Sequence, residues 1–148
     1  MKIFLKKTWP YIGISGLLII TLLGLLIYMN IRPADPILAG WEEYDALRFE
    51  ELMQRDEPVL VEIYAPWCPT CLLQHKAFET LSEKQTFPKV RAIRVDFDED
   101  EDFIKGHHLY GTGMLIIFLK GKEISRASGL VTPDSIEEYL ENHFPKKT

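Results

Sequence analysis

The sequence predicts an α/β fold standing behind a single N-terminal transmembrane helix. Three observations carry that reading. Short apolar runs alternate with amphipathic stretches along most of the chain. The first thirty residues hold a long uncharged segment. Two cysteines, the only two in 148 residues, sit three positions apart between an apolar run and a helical stretch.

Lys2, Lys6 and Lys7 precede an uncharged run over 8–31. Its core, 11–29, approaches the ~20 residues that a helix needs to cross a bilayer. Trp9, Tyr11 and Tyr28 stand at its ends, where interfacial aromatics belong. The competing reading is a cleaved signal peptide, whose apolar core is usually about 7–15 residues, closed by a small-x-small site. Here the nearest candidate, Ile37-Leu38-Ala39, lies well beyond the core and begins with Ile, so an uncleaved anchor is favoured. Three lysines before the span, against Arg32 soon after it, place the N-terminal end in the cytoplasm and the remainder outside it. The expected organisation is a cytoplasmic N-terminus over 1–10, an anchor over 11–29, a linker over 30–41 with Pro33, Pro36 and Gly40, and a folded domain over 42–148.

Charge follows the same division. The first 29 residues carry three lysines and no acid; the remainder carries 14 basic and 22 acidic side chains, a net charge of −8. An acidic folded part argues against nucleic acid as a partner and against docking on an anionic lipid surface.

A helix is expected over 44–55, with Leu47, Phe49, Leu52 and Met53 as its apolar positions and Pro58 beyond its end. Val59-Leu60-Val61-Glu62-Ile63-Tyr64 is nearly continuous apolar sequence, as a strand buried on both faces requires. A helix over 69–86 follows, carrying Leu72, Leu73, Phe78 and Leu81 at helical spacing, and then a strand over 90–95. The stretch 98–108 reads as a helix with acids in its first turn. A third apolar strand, 114–119, turns through Lys120-Gly121-Lys122 into 123–127 to make a hairpin. Thr132-Pro133-Asp134 gives a helix its N-cap, first-turn proline and acid; Ile136, Tyr139, Leu140 and His143 share one face of that helix, and Pro145 closes it. The order is helix, strand, helix, strand, helix, strand, strand, helix, with no internal repeat.

The chemistry concentrates in Trp67-Cys68-Pro69-Thr70-Cys71. Cys68 falls at the start of a helix, where unpaired N–H groups and the helix dipole favour a thiolate. Cys68 is expected to be the exposed thiol, and Cys71, one turn on, the shielded one placed to attack a mixed disulfide formed at Cys68. Pro69 suits the first helical position because its missing N–H costs nothing there. A structural zinc half-site is the bland alternative, but zinc takes about four ligands and there is no second cysteine pair. In an oxidising compartment, the absence of any further cysteine also protects the pair from mispairing.

At this point the chain resembles the thioredoxin-fold family. The resemblance rests on Val59 to Tyr64, Ala65-Pro66-Trp67-Cys68-Pro69-Thr70-Cys71, Val95-Asp96-Phe97-Asp98, Tyr110-Gly111, and Ile116-Ile117-Phe118-Leu119-Lys120-Gly121-Lys122-Glu123, in family order over about 42–144. It implies a central mixed sheet flanked by helices, a dithiol at the tip of the helix after the buried strand, and thiol–disulfide exchange with no cofactor beyond the Cys68–Cys71 disulfide. The anchor and its orientation resemble those of bacterial envelope thioredoxin-like proteins. They imply residence in the cytoplasmic membrane with the domain on the periplasmic or extracytoplasmic side, and protein thiols and disulfides of the envelope as partners.

Glu62 lies six residues before Cys68, where the family carries a buried carboxylate. A lone acid among apolar strand residues has a raised pKa and can take the proton of the resolving thiol; an edge-strand glutamate facing water is the alternative. The resemblance makes Cys68, Cys71 and Glu62 the catalytic residues, and gives substrate contacts to Trp67, Pro69, Thr70, Gly113 and Met114.

One feature departs from the family. A cis-proline usually faces the dithiol just before the third strand; here that position is assigned to Met114, and no proline occurs between Pro88 and Pro133. A cis bond without proline costs about 2.5–4 kcal/mol, so Thr112-Gly113-Met114 is expected to form a short trans loop, with the Met114 side chain over the dithiol. Weaker signals are His75, four residues after Cys71 on the same helix face and read as a solvated helix histidine over one that tunes the thiols, and the Asp96, Asp98, Asp100, Asp102 alternation, which lacks the glycine and distal glutamate of a calcium loop. His107 and His108 diverge on a helix and make no metal site. The expected function is a membrane-anchored, extracytoplasmic oxidoreductase acting as reductant or electron relay. The alternative is a metal-binding or client-specific redox chaperone for cytochrome or copper-site assembly, since two thiolates bind Cu(I) well.

Overall fold

The computed structural model describes residues 4–31, 34–84 and 91–144, with side chains of the first helix described over 14–28. It divides into two units, Met1–Pro33 and Ala34–Thr148. The first unit is the helix α1 (Phe4–Ile31), 28 residues long. At 1.5 Å per residue it extends about 42 Å. Most of its described side chains, among them Leu17, Leu18, Ile19, Ile20, Leu22 and Leu23, are exposed and apolar. Among the described residues, no helix is long and apolar enough to cross a membrane. The side chains of Trp9, Tyr11 and Met29, and all of Lys2, Arg32 and Pro33, lie outside the described residues.

The second unit is built on a five-stranded mixed sheet in the order β1-β3-β2-β4-β5. The strands are β1 (Trp41–Glu43), β2 (Val59–Tyr64), β3 (Arg91–Asp96), β4 (Met114–Leu119) and β5 (Lys122–Ser128). β1 and β2 both run parallel to β3, whereas β4 runs antiparallel to β2 and β5 antiparallel to β4. The β4–β5 turn passes through Lys120 at φ 53° and Gly121 at φ 71°, the positive angles of a tight hairpin. Gly121 also needs its missing side chain: a Cβ there would meet the Met53 carbonyl oxygen at 2.9 Å.

Every residue of β2 is buried, because helices cover both faces of the sheet. Val59, Val61 and Ile63 point to one side and pack with Phe49 and Leu52 of α2 (Ala46–Met53) and with Phe103 and Ile104 of α4 (Glu101–Gly106). Leu60 points to the other, where it meets Ala77, Phe78 and Leu81 of α3 (Pro69–Glu83) and Ile136, Tyr139 and Leu140 of α5 (Pro133–His143). Each such apolar side chain contributes roughly 1.5–3 kcal/mol on burial. The same alternation sends the Glu62 carboxyl into the α3 layer, beneath the dithiol.

The elements differ from the sequence expectation chiefly at their ends. Residues 44 and 45 precede α2: Asp45 is its N-cap and accepts the Arg48 N–H at 2.8 Å. α4 begins at Glu101, because Asp96 to Asp100 form a turn in which the Asp96 carboxylate accepts the N–H groups of Asp98 and Glu99. Asp96 and Asp100 thus spend their carboxylates on the backbone of the turn, and among the described residues no His, Cys, Asp or Glu cluster fits a metal ion. Val90, expected to open the second strand, Thr86, expected to close the long helix, and Pro145 lie outside the described residues. Within the stretch read as linker, Trp41 is already in β1, and Leu38 packs on the α3–α5 side of the core.

Candidate active site

Cys68 is the N-cap of α3 and Pro69 its first residue. Cys68 and Cys71 form a disulfide with Cα atoms 5.3 Å apart. The Cys71 N–H, one of the donors a helix start leaves without an intrahelical partner, points at Cys68 Sγ from 3.0 Å. Cys71 Sγ lies 3.8 Å from the Ile63 carbonyl oxygen, against the end of β2. Trp67 lies half-open beside the disulfide, its Nε1–H donating to Asp98 Oδ2 at 2.6 Å and its ring meeting Phe97 edge-on. Pro69 is exposed and Thr70 half-buried.

The loop before β4 closes the site from the other side. Gly113 has φ 68°, and a Cβ built on it would stand 2.7 Å from Thr70 Cγ2 and 3.9 Å from Cys68 Sγ. Only glycine accepts both that angle and that approach. Its N–H donates to Ile63 O at 2.8 Å, and its own carbonyl accepts from Gly129 N–H at 3.2 Å and from Gln74 Nε2 at 3.3 Å. No cis peptide bond occurs among the described residues, so the loop is trans.

Beneath the disulfide lies a buried polar layer. The parallel register of β2 and β3 sets Glu62 beside Arg94; Glu62 is 1% exposed and Arg94 6%. Arg94 Nε donates to Glu62 Oε2 at 3.4 Å, while Glu62 Oε1 is buried with no hydrogen-bond partner among the described residues. Burial pushes the Glu62 carboxyl up to about 7, against the opposing pull of the Arg94 guanidinium. Arg94 lies over the Tyr64 ring at 4.4 Å and reaches His75 Nδ1 with Nη2 at 3.5 Å. Arginine carries donors only, so Nδ1 accepts and the ring hydrogen sits on Nε2, 3.4 Å from Glu79 Oε1.

The thioredoxin family model matches residues 42–142, which hold the dithiol and all of this sheet but Trp41. The chain belongs to the thioredoxin family. Thioredoxin X of the Arabidopsis thaliana chloroplast is 34% identical over 92 residues, 61% of this chain and 50% of that protein, so the chain spans half the length of that relative. Thioredoxin 1 of Nostoc is 27% identical over 95 residues, 64% of this chain and 88% of that one. The crystal structure of Trxlp from Edwardsiella tarda superposes with a TM-score of 0.62 at 27% identity, covering 68% of this chain and 97% of that one.

As a thioredoxin with its cysteine pair in place, the protein is a thiol–disulfide oxidoreductase. Several details of its site differ from the sequence expectation. Cys68 is only 3% exposed in the oxidised state, barely more than Cys71 at 0%, because Gly113 and Thr70 close over it. His75 is buried at 5% exposure: it shares with Cys71, Gln74 and Phe78 the α3 face turned to the sheet. Met114 packs on the α2–α4 side of the sheet, and Gly113 is the loop residue that meets the disulfide. Arg94, Gln74 and Asp35 join the site without having been singled out in the sequence. Arg94 did leave a signal there: it is the lone charge between Ile93 and Val95, as Glu62 is between Val61 and Ile63.

Proposed function

We propose that this thioredoxin is anchored in the bacterial cytoplasmic membrane by α1 and works on the extracytoplasmic side, reducing or relaying electrons to particular envelope proteins. The observation that carries the proposal is the reactive disulfide packed against Ile63 at the end of β2, with the next residue back, Glu62, a buried carboxyl poised near neutral pH. In the reduced protein, the Cys71 N–H and the start of α3 favour the Cys68 thiolate. That thiolate attacks one sulfur of a client disulfide; the other client sulfur leaves as a thiolate and takes a proton. Cys71 then gives its proton to Glu62 and attacks Cys68 Sγ. The Cys68–Cys71 disulfide forms, the second client thiolate departs, and two electrons have passed from the dithiol to the client.

Membrane anchoring rests on the apolar surface of α1, on the three lysines before its uncharged run and on the absence of acids in that part of the chain. Restriction to particular clients rests on the loop. Gly113 spends both backbone groups inside the fold, so neither is offered to an extended client strand, and Trp67, Pro69 and Thr70 are left to make the contact.

Two measurements test this reading. A reporter active only outside the cytoplasm, fused after Thr148, should be active; activity of a cytoplasm-only reporter would refute the orientation. Full-length protein should reduce insulin disulfides at less than about a tenth of an ordinary thioredoxin's rate, a loss of roughly 1.4 kcal/mol or more in transition-state binding. An equal rate would refute client restriction.

A further inference from the structure

The linker before β1 does more than join two units. Arg94 has five donors, and their distribution is uneven. Its shortest bond runs from Nη1 to the Asp35 carbonyl oxygen at 2.7 Å, and Nη2 reaches the Pro36 carbonyl at 3.4 Å. Its bond to Glu62 is single and long at 3.4 Å. The linker is itself fastened to the site: Asp35 N–H donates to Tyr64 Oη at 2.7 Å, and Tyr64 Oη donates to Asp35 Oδ2 at 3.3 Å. Leu38 and Trp41 continue the docking into the α3–α5 side of the core.

We propose that the carbonyls of Asp35 and Pro36 set how far the Arg94 guanidinium reaches toward Glu62, making the linker a positioning element of the proton-transfer machinery. The inference rests on the reading of Glu62 as proton acceptor. An arginine free to form the two-bond fork with both carboxylate oxygens would lock Glu62 in its ionised form. The linker draws the guanidinium aside, so that only Oε2 is engaged and Oε1 remains open to a proton. With no cation at all, the buried carboxyl would stay protonated at neutral pH and could accept nothing. The clamp holds the group between those limits.

The groups facing this carboxyl are few. β3 presents Arg94, and the linker presents Asp35, whose negative charge favours the protonated form. α3 buries Cys71, Gln74 and His75 on the face turned to the sheet, with His75 reaching Arg94 and backed by Glu79. In β4, Leu115 stands opposite Glu62 in the antiparallel register, and its carbonyl accepts from Tyr139 Oη of α5 at 3.4 Å.

The test isolates the resolving step. Reduced full-length protein is mixed rapidly with an aromatic disulfide whose thiolate absorbs visible light. The first thiolate released reports attack by Cys68, and the second reports resolution by Cys71. The rate of the second release is followed from pH 5 to pH 9. Arg94→Met should move the midpoint of its rising limb upward by roughly one unit or more. Tyr64→Phe removes the hydroxyl that fastens the linker and keeps the ring, so the guanidinium turns toward Glu62 and the midpoint should move downward. Opposite shifts are the result expected; shifts in one direction, or none, overturn the clamp. Tyr64→Phe retains the buried packing, so its downward shift decides the matter even where Arg94→Met fails to fold. Glu62→Gln separates the two ideas. If it leaves the limb unchanged, the proton role itself is wrong. If it flattens the limb while the other variants move nothing, the proton role stands and the clamp falls.

Discussion

Glu62 is the residue on which the account turns, and its charge state has a consequence for stability. In the oxidised protein burial pushes its carboxyl up to about 7 from an ordinary 4.5. The folded chain therefore keeps a proton that the unfolded chain has released between those two values. Unfolded protein binds fewer protons in that window, so stability falls as pH rises through it, and the contribution is fully present only below pH 4.5. The shift corresponds to roughly 3 kcal/mol. Glu62→Gln should remove this slope: by urea titration, the difference in unfolding free energy between pH 4.5 and pH 7 should be smaller in the variant by about that amount. Parallel pH dependences would show that Glu62 is ionised throughout. An acid flanked by apolar strand residues is legible in the sequence. Its partner is not, because nothing local in Ala92-Ile93-Arg94-Val95 states which strand lies beside it; the β2–β3 register does. His75 is a related case: its type suggests water, but the face it shares with Cys71 is the buried one.

At the scale of elements, two segments meet at the disulfide: the first turn of α3 and the loop before β4. Their closest approach is Gly113 against Thr70. Gly113→Ala would place a methyl 2.7 Å from Thr70 Cγ2 at a backbone angle that alanine resists. Threonine is stiff at χ1 and cannot turn aside cheaply. The expected cost is about 1–3 kcal/mol of stability, with slower attack at Cys68 as the loop lifts. Adding Thr70→Ser removes the obstructing methyl and should restore part of the loss, leaving the backbone strain and the 3.0 Å approach to the Cβ of residue 70. Denaturant titration of the single and double variants measures both; no rescue by Thr70→Ser would mean that the contact is not the cause. The sequence marked this loop by its missing proline but gave Met114 the facing position. The difference is one residue, and in a strand one residue exchanges the two faces of the sheet. The three-residue β1 was absent from the sequence reading altogether, since Trp41-Glu42-Glu43 has too few positions to show alternation. The hairpin, the α5 cap and the buried β2 were legible because each has a local cause: Gly121 at positive φ, Thr132 accepting Ser135 N–H, and an unbroken apolar run.

For the molecule as a whole, alternation of strands and helices predicted the layers, and the family resemblance supplied the order in which the strands meet. Neither showed that the linker is drawn into the domain, because Asp35-Pro36 looks like any polar connection until Arg94 is seen to reach its carbonyls. The central claim is that this family member exchanges disulfides with Cys68 as the attacking sulfur and Cys71 as the resolving one. Trapping tests it most directly. Reduced full-length Cys71→Ser and Cys68→Ser proteins are each incubated with glutathione disulfide near neutral pH, and the adducts are counted by mass spectrometry. The account predicts a stable glutathione adduct on Cys68 in Cys71→Ser and at least tenfold slower modification of Cys71 in Cys68→Ser, because only Cys68 sits at the N-terminal end of α3 with an N–H directed at its sulfur. Equal or faster modification of Cys71 would contradict it.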